Sequence, residues 1–266
     1  VVKELMKDLP VNIKIFIEGE EEIGSPCMAE FLDEFNKELE ADVIVIADSG
    51  NIRIGTPTVT TSLRGLVDGF IEVDQPMRPV HSGVSGGVVP DAFMVLSKII
   101  ASFHNEKGEL QIEGLTSSDM DVLELKEEEI KKIFGSEDIN LFELDSISKR
   151  LWLEPALSIL AIDAPSTKEA VNLVIPNAKA KVSLRLPPTE DPEHAMKMLE
   201  EHIMKNVPWG ANVRFIPEAK GSGIVADPNK EFTKKLVQNF EEVFNTDAAC
   251  MSVGGSIPFA NDFVEM

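Results

Sequence analysis

The order of apolar patterns between residues 66 and 216 limits the architecture of this chain more than any other feature. Residues 66–74 (LVDGFIEVD) read as a strand. A helical stripe follows from about Pro90 to His104, with Phe93, Leu96, Ile99, Ile100 and Phe103 on its apolar side. Strands are predicted at 157–163 (LSILAID) and 178–186 (AKAKVSLRL). A second helix opens at Asp191-Pro192, an N-cap followed by proline in the first helical position, and ends near Lys205. A last strand covers 211–216. The order β-α-β-β-α-β is that of a ferredoxin-like α+β layer. Residues 105–151 are polar and acidic, with one short helix near 127–134, and read as an excursion.

The flanking segments have a different style. Residues 11–17 (VNIKIFI) alternate Val11, Ile13, Ile15 and Ile17 onto one face and predict a strand. The run EGEEEIGS (18–25) follows, and then a helix with Ser25 as N-cap, Pro26 in its first turn, and a stripe of Met28, Phe31, Leu32, Phe35 and Leu39. Residues 43–47 (VIVIA) are apolar throughout, as a parallel strand covered on both faces would be. Residues 11–47 thus predict a β-α-β unit with a right-handed crossover. After residue 217, Asp227-Pro228 predicts the cap of a helix bearing Phe232, Leu236, Val237, Phe240, Val243 and Phe244, and a glycine loop GGSIP (254–258) follows. The expected fold class is α/β: a partial α/β domain at 1–64 and 218–266, into which an α+β lid is inserted at 65–217.

With 46 acidic and 25 basic residues the formal charge is 25 − 46 = −21, and the pI is near 4.6. That charge repels nucleic acid and anionic membrane surfaces, so neither is an expected partner. At 43% hydrophobic the chain can bury a core. No apolar run reaches the roughly 18 residues of a membrane span, and the first ten residues do not read as a signal peptide. Cys27 and Cys250 lie far apart and form no CxxC, which fits a reducing cytoplasm. The chain begins at Val1 rather than Met, so a processed, trimmed or partial chain is expected.

The candidate chemistry lies at the ends of the predicted strands. Glu20, Glu21 and Glu22 follow the first strand and Asp48 the second. Parallel strands would bring these carboxylates out at one carboxyl edge, where open α/β sheets bind ligands. The acidic run reads either as a solvated loop or as a site. In extended chain, neighbouring carboxylates point to opposite sides. One could then hold a metal while the other takes a proton from water. Asp48 is either a turn residue or an oxygen ligand. His81, in the glycine-rich loop HSGVSGG, is either a surface histidine or a donor to an oxyanion. Arg185, ending KVSLRL, is either a packing arginine or a carboxylate clamp. Ser256 is either part of a glycine turn or a ligand contact.

In order, EGEEEIGS, ADSGN with TTSLRGL, VHSGVSGG, NLVIP with SLRLPP, and GGSIP resemble the M20 family of dinuclear zinc peptidases and deacylases. The excursion is most similar to that of its carnosinase-type dipeptidases. The resemblance covers nearly the whole chain. It implies a partial zinc-peptidase-like catalytic domain and a lid that forms a homodimer. It implies hydrolysis of a dipeptide-type peptide bond by a metal-activated water, with two zinc ions per subunit, or manganese. Glu21 would be general base and acid, Glu22 a ligand of one metal, and Asp48 a ligand of the other. His81 would reach the partner subunit's substrate, a peptide or an N-acyl amino acid. Arg185 and Ser256 would bind its terminal carboxylate. Asn172 is a further substrate contact whose register is ambiguous.

The chain also departs from the family. The upstream HxD motif, the bridging aspartate and the last ligand histidine have no counterpart. Ser252-Val253 stands where Arg-Glu is usual, in the loop before GGSIP. Of the four histidines, none lies beside the predicted strand ends. Two carboxylates cannot clamp two zinc ions, so this chain alone is expected to be inactive and to bind metal weakly. A deacylase of the same fold, or a non-catalytic scaffold that keeps the lid dimer, are the other readings.

Overall fold

A computed structural model of the chain describes residues 10–257, 259, 260 and 263. Two compact units are present, Val1–Ala47 with Phe259–Met266, and Asp48–Pro258.

In the first unit a 3-10 turn at Glu21–Ile23 precedes helix α1 (Met28–Leu39). Ser25 is not its N-cap. Gly24 and Ser25 both take left-handed backbone (φ 86° and 46°), whereas a capping residue needs an extended one. The helix therefore starts later, with Cys27 at the cap position, and it buries Met28 and Leu32. The expected strands at 11–17 and 43–47 carry no ladder. Val11, Ile13, Ile15 and Ile17 are exposed, Ile17 by 85%, while the intervening Phe16 packs on Phe31 at 5.3 Å between ring centroids. Two short apolar segments cannot make a stable parallel pair without flanking strands, and although α1 packs on Phe16, the described residues supply no flanking strand.

The second unit runs in order through β1 (Thr58–Leu63), β2 (Gly65–Asp74), β3 (Val80–His81), the one-turn α2 (Ser82–Ser85), α3 (Ala92–Ser102), α4 (Glu127–Phe134), α5 (Ile147–Trp152), β4 (Ala156–Asp163), β5 (Leu173–Val174), β6 (Asn177–Leu186), α6 (Pro192–Lys205), β7 (Val213–Gly221), β8 (Ile224–Val225), α7 (Glu231–Phe244) and β9 (Ala249–Val253). Four strands form an antiparallel sheet in the order β4-β6-β2-β7. Counted along the chain this is second, third, first, fourth, the ferredoxin-like order. Alternation decides its two faces. Val67, Ile71 and Val73 of β2 and Ala180, Val182, Leu184 and Leu186 of β6 turn inward. They meet Val95, Leu96 and Ile99 of α3, Phe103 just beyond it, and Leu199 and Ile203 of α6. Each of these Val, Leu and Ile side chains contributes about 1.5–3 kcal/mol by leaving water. On the other face Lys179 and Arg214 hydrogen-bond Glu72 at 2.9 and 2.7 Å, which holds its carboxyl below the usual range.

The caps explain the helix starts. The Asp91 carboxylate accepts from the Phe93 and Met94 amides, so α3 opens at Ala92 rather than Pro90. Asp191 caps α6 as expected. Asp227 does not cap α7. Its carboxylate accepts from the Asn229 amide and its carbonyl from the Lys230 amide, which closes a turn before the helix begins at Glu231. The last lid strand runs on to Gly221, past the expected end at 216. The excursion contains α5, capped by Ser146, beside the expected α4. These two elements share a small core of Leu125, Ile130, Trp152 and Leu153.

A second sheet, in the order β8-β1-β9, was not foreseen. β1 pairs parallel with β9 and antiparallel with β8. Arg64 alone separates β1 from β2, and Ser222-Gly223 separate β7 from β8. The second crossing demands glycine. A Cβ on Gly223 would lie 2.6 Å from both Cα and the carbonyl oxygen of Pro188.

Three titratable groups with lowered folded-state values contribute to the acid response of this unit: the buried His202 and Glu190, and the exposed His104. Burial holds His202 and His104 below the ordinary value of 6.5, with Arg150 adding to the effect on His104. Burial pushes Glu190 up, but hydrogen bonds from Thr116 and His194 outweigh it and leave the carboxyl below 4.5. Depressed folded-state values mean that the folded chain binds fewer protons than the unfolded one. The histidine contribution is complete above pH 6.5 and lost as pH falls through the folded-state values. The Glu190 contribution is lost below 4.5 in the same sense. Thermal midpoints measured against pH should fall in these two steps, and His202→Gln should flatten the first.

Candidate functional site

The acidic run is a built turn rather than extended chain. The Glu18 carboxylate accepts from the Glu20 amide at 2.7 Å, and the Glu20 carbonyl accepts from the Ile23 and Ser25 amides. Glu21 and Glu22 sit side by side on the 3-10 turn, about 120° apart around its axis at three residues per turn. The extended chain with neighbouring carboxylates on opposite sides is not formed; the two diverge by helical rotation instead. Glu21 is half-buried, and Glu20 and Glu22 are exposed. The Glu20 carboxylate pushes the Cys27 thiol up. Both cysteines are free.

Asp48 is exposed and follows no strand. In this stretch it is Asn51 whose side-chain oxygen bonds the backbone, accepting from the Thr58 amide at 3.0 Å. The ladder that would have placed Asp48 and the glutamates at one sheet edge is absent among the described residues.

Within the second unit the structure brings the remaining candidates together in two pairs. His81 pairs with Leu173 where β3 meets β5, which brings Asn172, the residue before Leu173, opposite Ser82, the residue after His81. The Asn172 carbonyl accepts from the Ser82 amide at 2.9 Å. His81 is exposed, and its Nδ1 accepts from the Gly83 amide at 3.1 Å. In the neutral ring this leaves the proton on Nε2, turned away as a donor.

Arg185 and Ser256 form the other pair, 71 residues apart, with Arg185 Nη1 donating to Ser256 Oγ at 3.0 Å. Arg185 is half-buried on the open face of the lid sheet, opposite Leu66 of β2 and Ala156 of β4. Among the described residues the rest of its donor fork has no side-chain or backbone acceptor. A planar fork with free N–H groups beside a hydroxyl suits a carboxylate.

Arg64 is the residue that the sequence did not single out, although it sits in the quoted TTSLRGL run. It is 5% exposed. Its Nη1 donates to the Leu151 carbonyl at 2.7 Å, and its Nη2 to the Glu154 and Arg185 carbonyls at 2.5 and 3.3 Å. Its amide donates to the Gly255 carbonyl at 3.2 Å. Burial and the neighbouring Arg185 charge lower its pKa to about 10, partly offset by Glu154, so it remains protonated at neutral pH. The only advance signal was an arginine next to Gly65, just before the apolar strand expected at 66–74.

Ser252 and Val253 belong to β9, not to a loop. Ser252 is buried and shares a hydrogen bond with Ser62 across the β1–β9 pair.

The metals that the resemblance implies need several His, Asp or Glu donors brought to one point. Among the described residues no three His, Cys, Asp or Glu side chains converge where a metal ion could sit. His81 accepts from Gly83, His194 bonds Glu190, and His202 bonds Ser102 and stacks on Phe103. The residues described therefore do not make a complete dinuclear donor set. Among them, too, no helix is long and apolar enough to cross a membrane.

Comparison with known proteins places this geometry. The chain is 32% identical to a cysteinylglycine-S-conjugate dipeptidase of Corynebacterium striatum over 255 residues, covering 93% of this chain and 56% of that protein. It is 28% identical to a Cys-Gly metallodipeptidase of Saccharomyces cerevisiae, covering 97% of this chain and 57% of the other. The crystal structure of human carnosine dipeptidase 1 superposes with a TM-score of 0.80 at 25% identity, over 99% of this chain and 59% of that one. The chain thus spans about half the length of the curated relatives it matches. Its residues 61–211 match the peptidase dimerisation domain of the M20 peptidases, and with that match the chain belongs to the M20 peptidase family.

Proposed function

We propose that a protein carrying this chain hydrolyses the peptide bond of dipeptides, with Arg185 and Ser256 gripping the free terminal carboxylate. The observation that carries this reading is the Arg185–Ser256 contact with the open remainder of the guanidinium fork. The similar proteins named for Cys-Gly and carnosine support the substrate class. Glu21 is the proton carrier in this reading: it accepts a proton from the attacking water at its carboxylate and delivers it to the leaving amine. His81 Nε2 is the donor to the oxyanion of a partner subunit's substrate. Asn172 stands beside it. We take residues 65–217 as the lid and the flanking segments as the catalytic part. Glu22 and Asp48 are the metal-facing carboxylates. Zinc, or manganese, is the metal that the family implies, but these residues alone do not complete its donor set, so this chain by itself should be inactive. The two unpaired cysteines suit a reducing compartment such as the cytoplasm.

The test is a substrate panel with a longer protein that carries this chain: Cys-Gly, β-Ala-His, their C-terminal amides, and an N-acyl amino acid. Free dipeptides should be turned over. The amides should be rejected by about tenfold or more, because the grip would be left unpaired. Equal turnover of acid and amide would refute the carboxylate grip, and a preference for the N-acyl substrate would favour the deacylase reading. No turnover by a metal-loaded longer protein would favour the scaffold.

The homodimer is proposed through the lid, on its β4 edge. The opposite edge, β7, carries Arg214, Pro217, Glu218 and Lys220, the residue types that block strand addition. β4 (ALSILAID) has no charge before Asp163, and it exposes Leu160 by 55% and Ile162 by 52%. Sedimentation should give about twice the 29.2 kDa chain mass. Leu160→Lys should shift it to the monomer.

A further inference from the structure

We propose that Arg64 is the positioning residue of the carboxylate grip: it fixes the backbone on both sides of the Arg185–Ser256 contact. The inference rests on the reading of Arg185 as the residue that receives a substrate carboxylate. The contacts close a ring. The Arg64 guanidinium holds the Arg185 carbonyl, Arg185 Nη1 holds Ser256 Oγ, and Gly255, the neighbour of Ser256, accepts from the Arg64 amide. The same guanidinium anchors that ring to Leu151 and Glu154 at the end of α5.

Arg64 occupies the single-residue connection between β1 and β2. One residue therefore ties the first lid strand, the strand that carries Arg185, and the glycine loop that carries Ser256. Its Nη groups are spent on carbonyls and it is almost fully buried, so it acts through Arg185 rather than on a ligand. A purely structural role is a poor account of this side chain. Its Nε is buried without a partner, and a second guanidinium stands nearby. Burying a charge on those terms costs stability that an apolar residue would not. The positive charge offers a benefit in return. It fixes a planar fork across three carbonyls from different segments, which no neutral side chain spans.

The experiment uses this chain, isotope-labelled for NMR, with N-acetylglycine as the carboxylate probe. The readouts are the Arg185 Nε–Hε resonance, the Ser256 Cβ resonance and the probe's dissociation constant. Arg64→Met should leave the amide resonances of α3 and α6 in place but move both site resonances and weaken the probe by about tenfold, the effect of one misplaced charged hydrogen bond. Arg64→Lys should restore part of the affinity. Where Arg64→Met fails to fold, Arg64→Lys is read alone, since a single ammonium cannot bridge three carbonyls and should still move both resonances. Unmoved site resonances and unchanged affinity, with only a lower thermal midpoint, would overturn the positioning role. A wild-type Arg185 resonance that ignores N-acetylglycine would overturn the carboxylate reading itself, and the inference with it. Arg185→Met separates the two cases, because it should abolish probe binding while leaving the Arg64 contacts to Leu151 and Glu154 intact.

Discussion

Replacing Glu21 with glutamine in a longer, active protein that carries this chain should lower kcat by about 10²- to 10⁴-fold, the usual contribution of a positioned general acid–base. Glutamine keeps the size and polarity of the side chain but cannot take the proton from water. KM should change little if Arg185 and Ser256 grip the substrate as proposed. The turn that carries Glu21 provides its own controls. Glu20 and Glu22 flank it on the same 3-10 turn and are both more exposed. Glu20→Gln should leave kcat within a few-fold of wild type. Glu22→Gln should lower metal content instead. A large loss in Glu20→Gln with none in Glu21→Gln would move the base one residue along the turn. Steady-state kinetics with metal analysis on the three variants decides among them.

Phe103→Ala should destabilise the ferredoxin-like layer by about 3–5 kcal/mol, the range for removing a buried aromatic ring from a core that cannot collapse around the gap. Phe103 is fully buried at the end of α3, and its ring stacks on His202 at 5.2 Å and 22°. α3, α6 and the inward face of the sheet all contribute to the cluster around it. Three separate elements would have to shift to fill the space, so most of the cavity should persist. Urea unfolding followed by the fluorescence of Trp152, which belongs to the same compact unit, measures the loss. The variant should also be less sensitive to mild acid. Opening the site to water relieves the burial that holds His202 below its ordinary value. An effect below about 1 kcal/mol would mean that α3 settles onto the sheet without the ring.

The ferredoxin-like layer was legible in the sequence because its signals are local and strong. Strands β2 and β6 alternate cleanly, α3 and α6 carry three- and four-residue apolar spacing, and Asp91 and Asp191 start their helices through bonds only two or three residues long. Misreadings arose where local pattern and tertiary partner disagree. Residues 11–17 alternate like a strand, yet alternation only proposes a face. The ladder and the opposing layer decide whether that face is buried; among the described residues no ladder forms, and α1 meets Phe16 on the other side of the segment. Ser25 has the chemistry of a cap but not the backbone, because Gly24 and Ser25 turn left-handed in succession. Strands β1, β8 and β9 were invisible because β8 is two residues long and β1 (TVTTSL) is a polar run that becomes a strand only by pairing with a segment 190 residues away.

By itself the sequence determined what short-range physics controls: the helices, the long strands, the excess of negative charge, and which residues carry donors and acceptors. Tertiary structure alone decided which of those groups meet. Arg185 and Ser256 are 71 residues apart and Arg64 and Arg185 are 121 apart, so no spacing rule links them. They touch because an antiparallel sheet returns distant strands to the same edge and because a single residue joins the two sheets. A hydrogen bond forms only within about 3 Å of its partner, and it is the packed core behind the sheet that holds these groups at that distance.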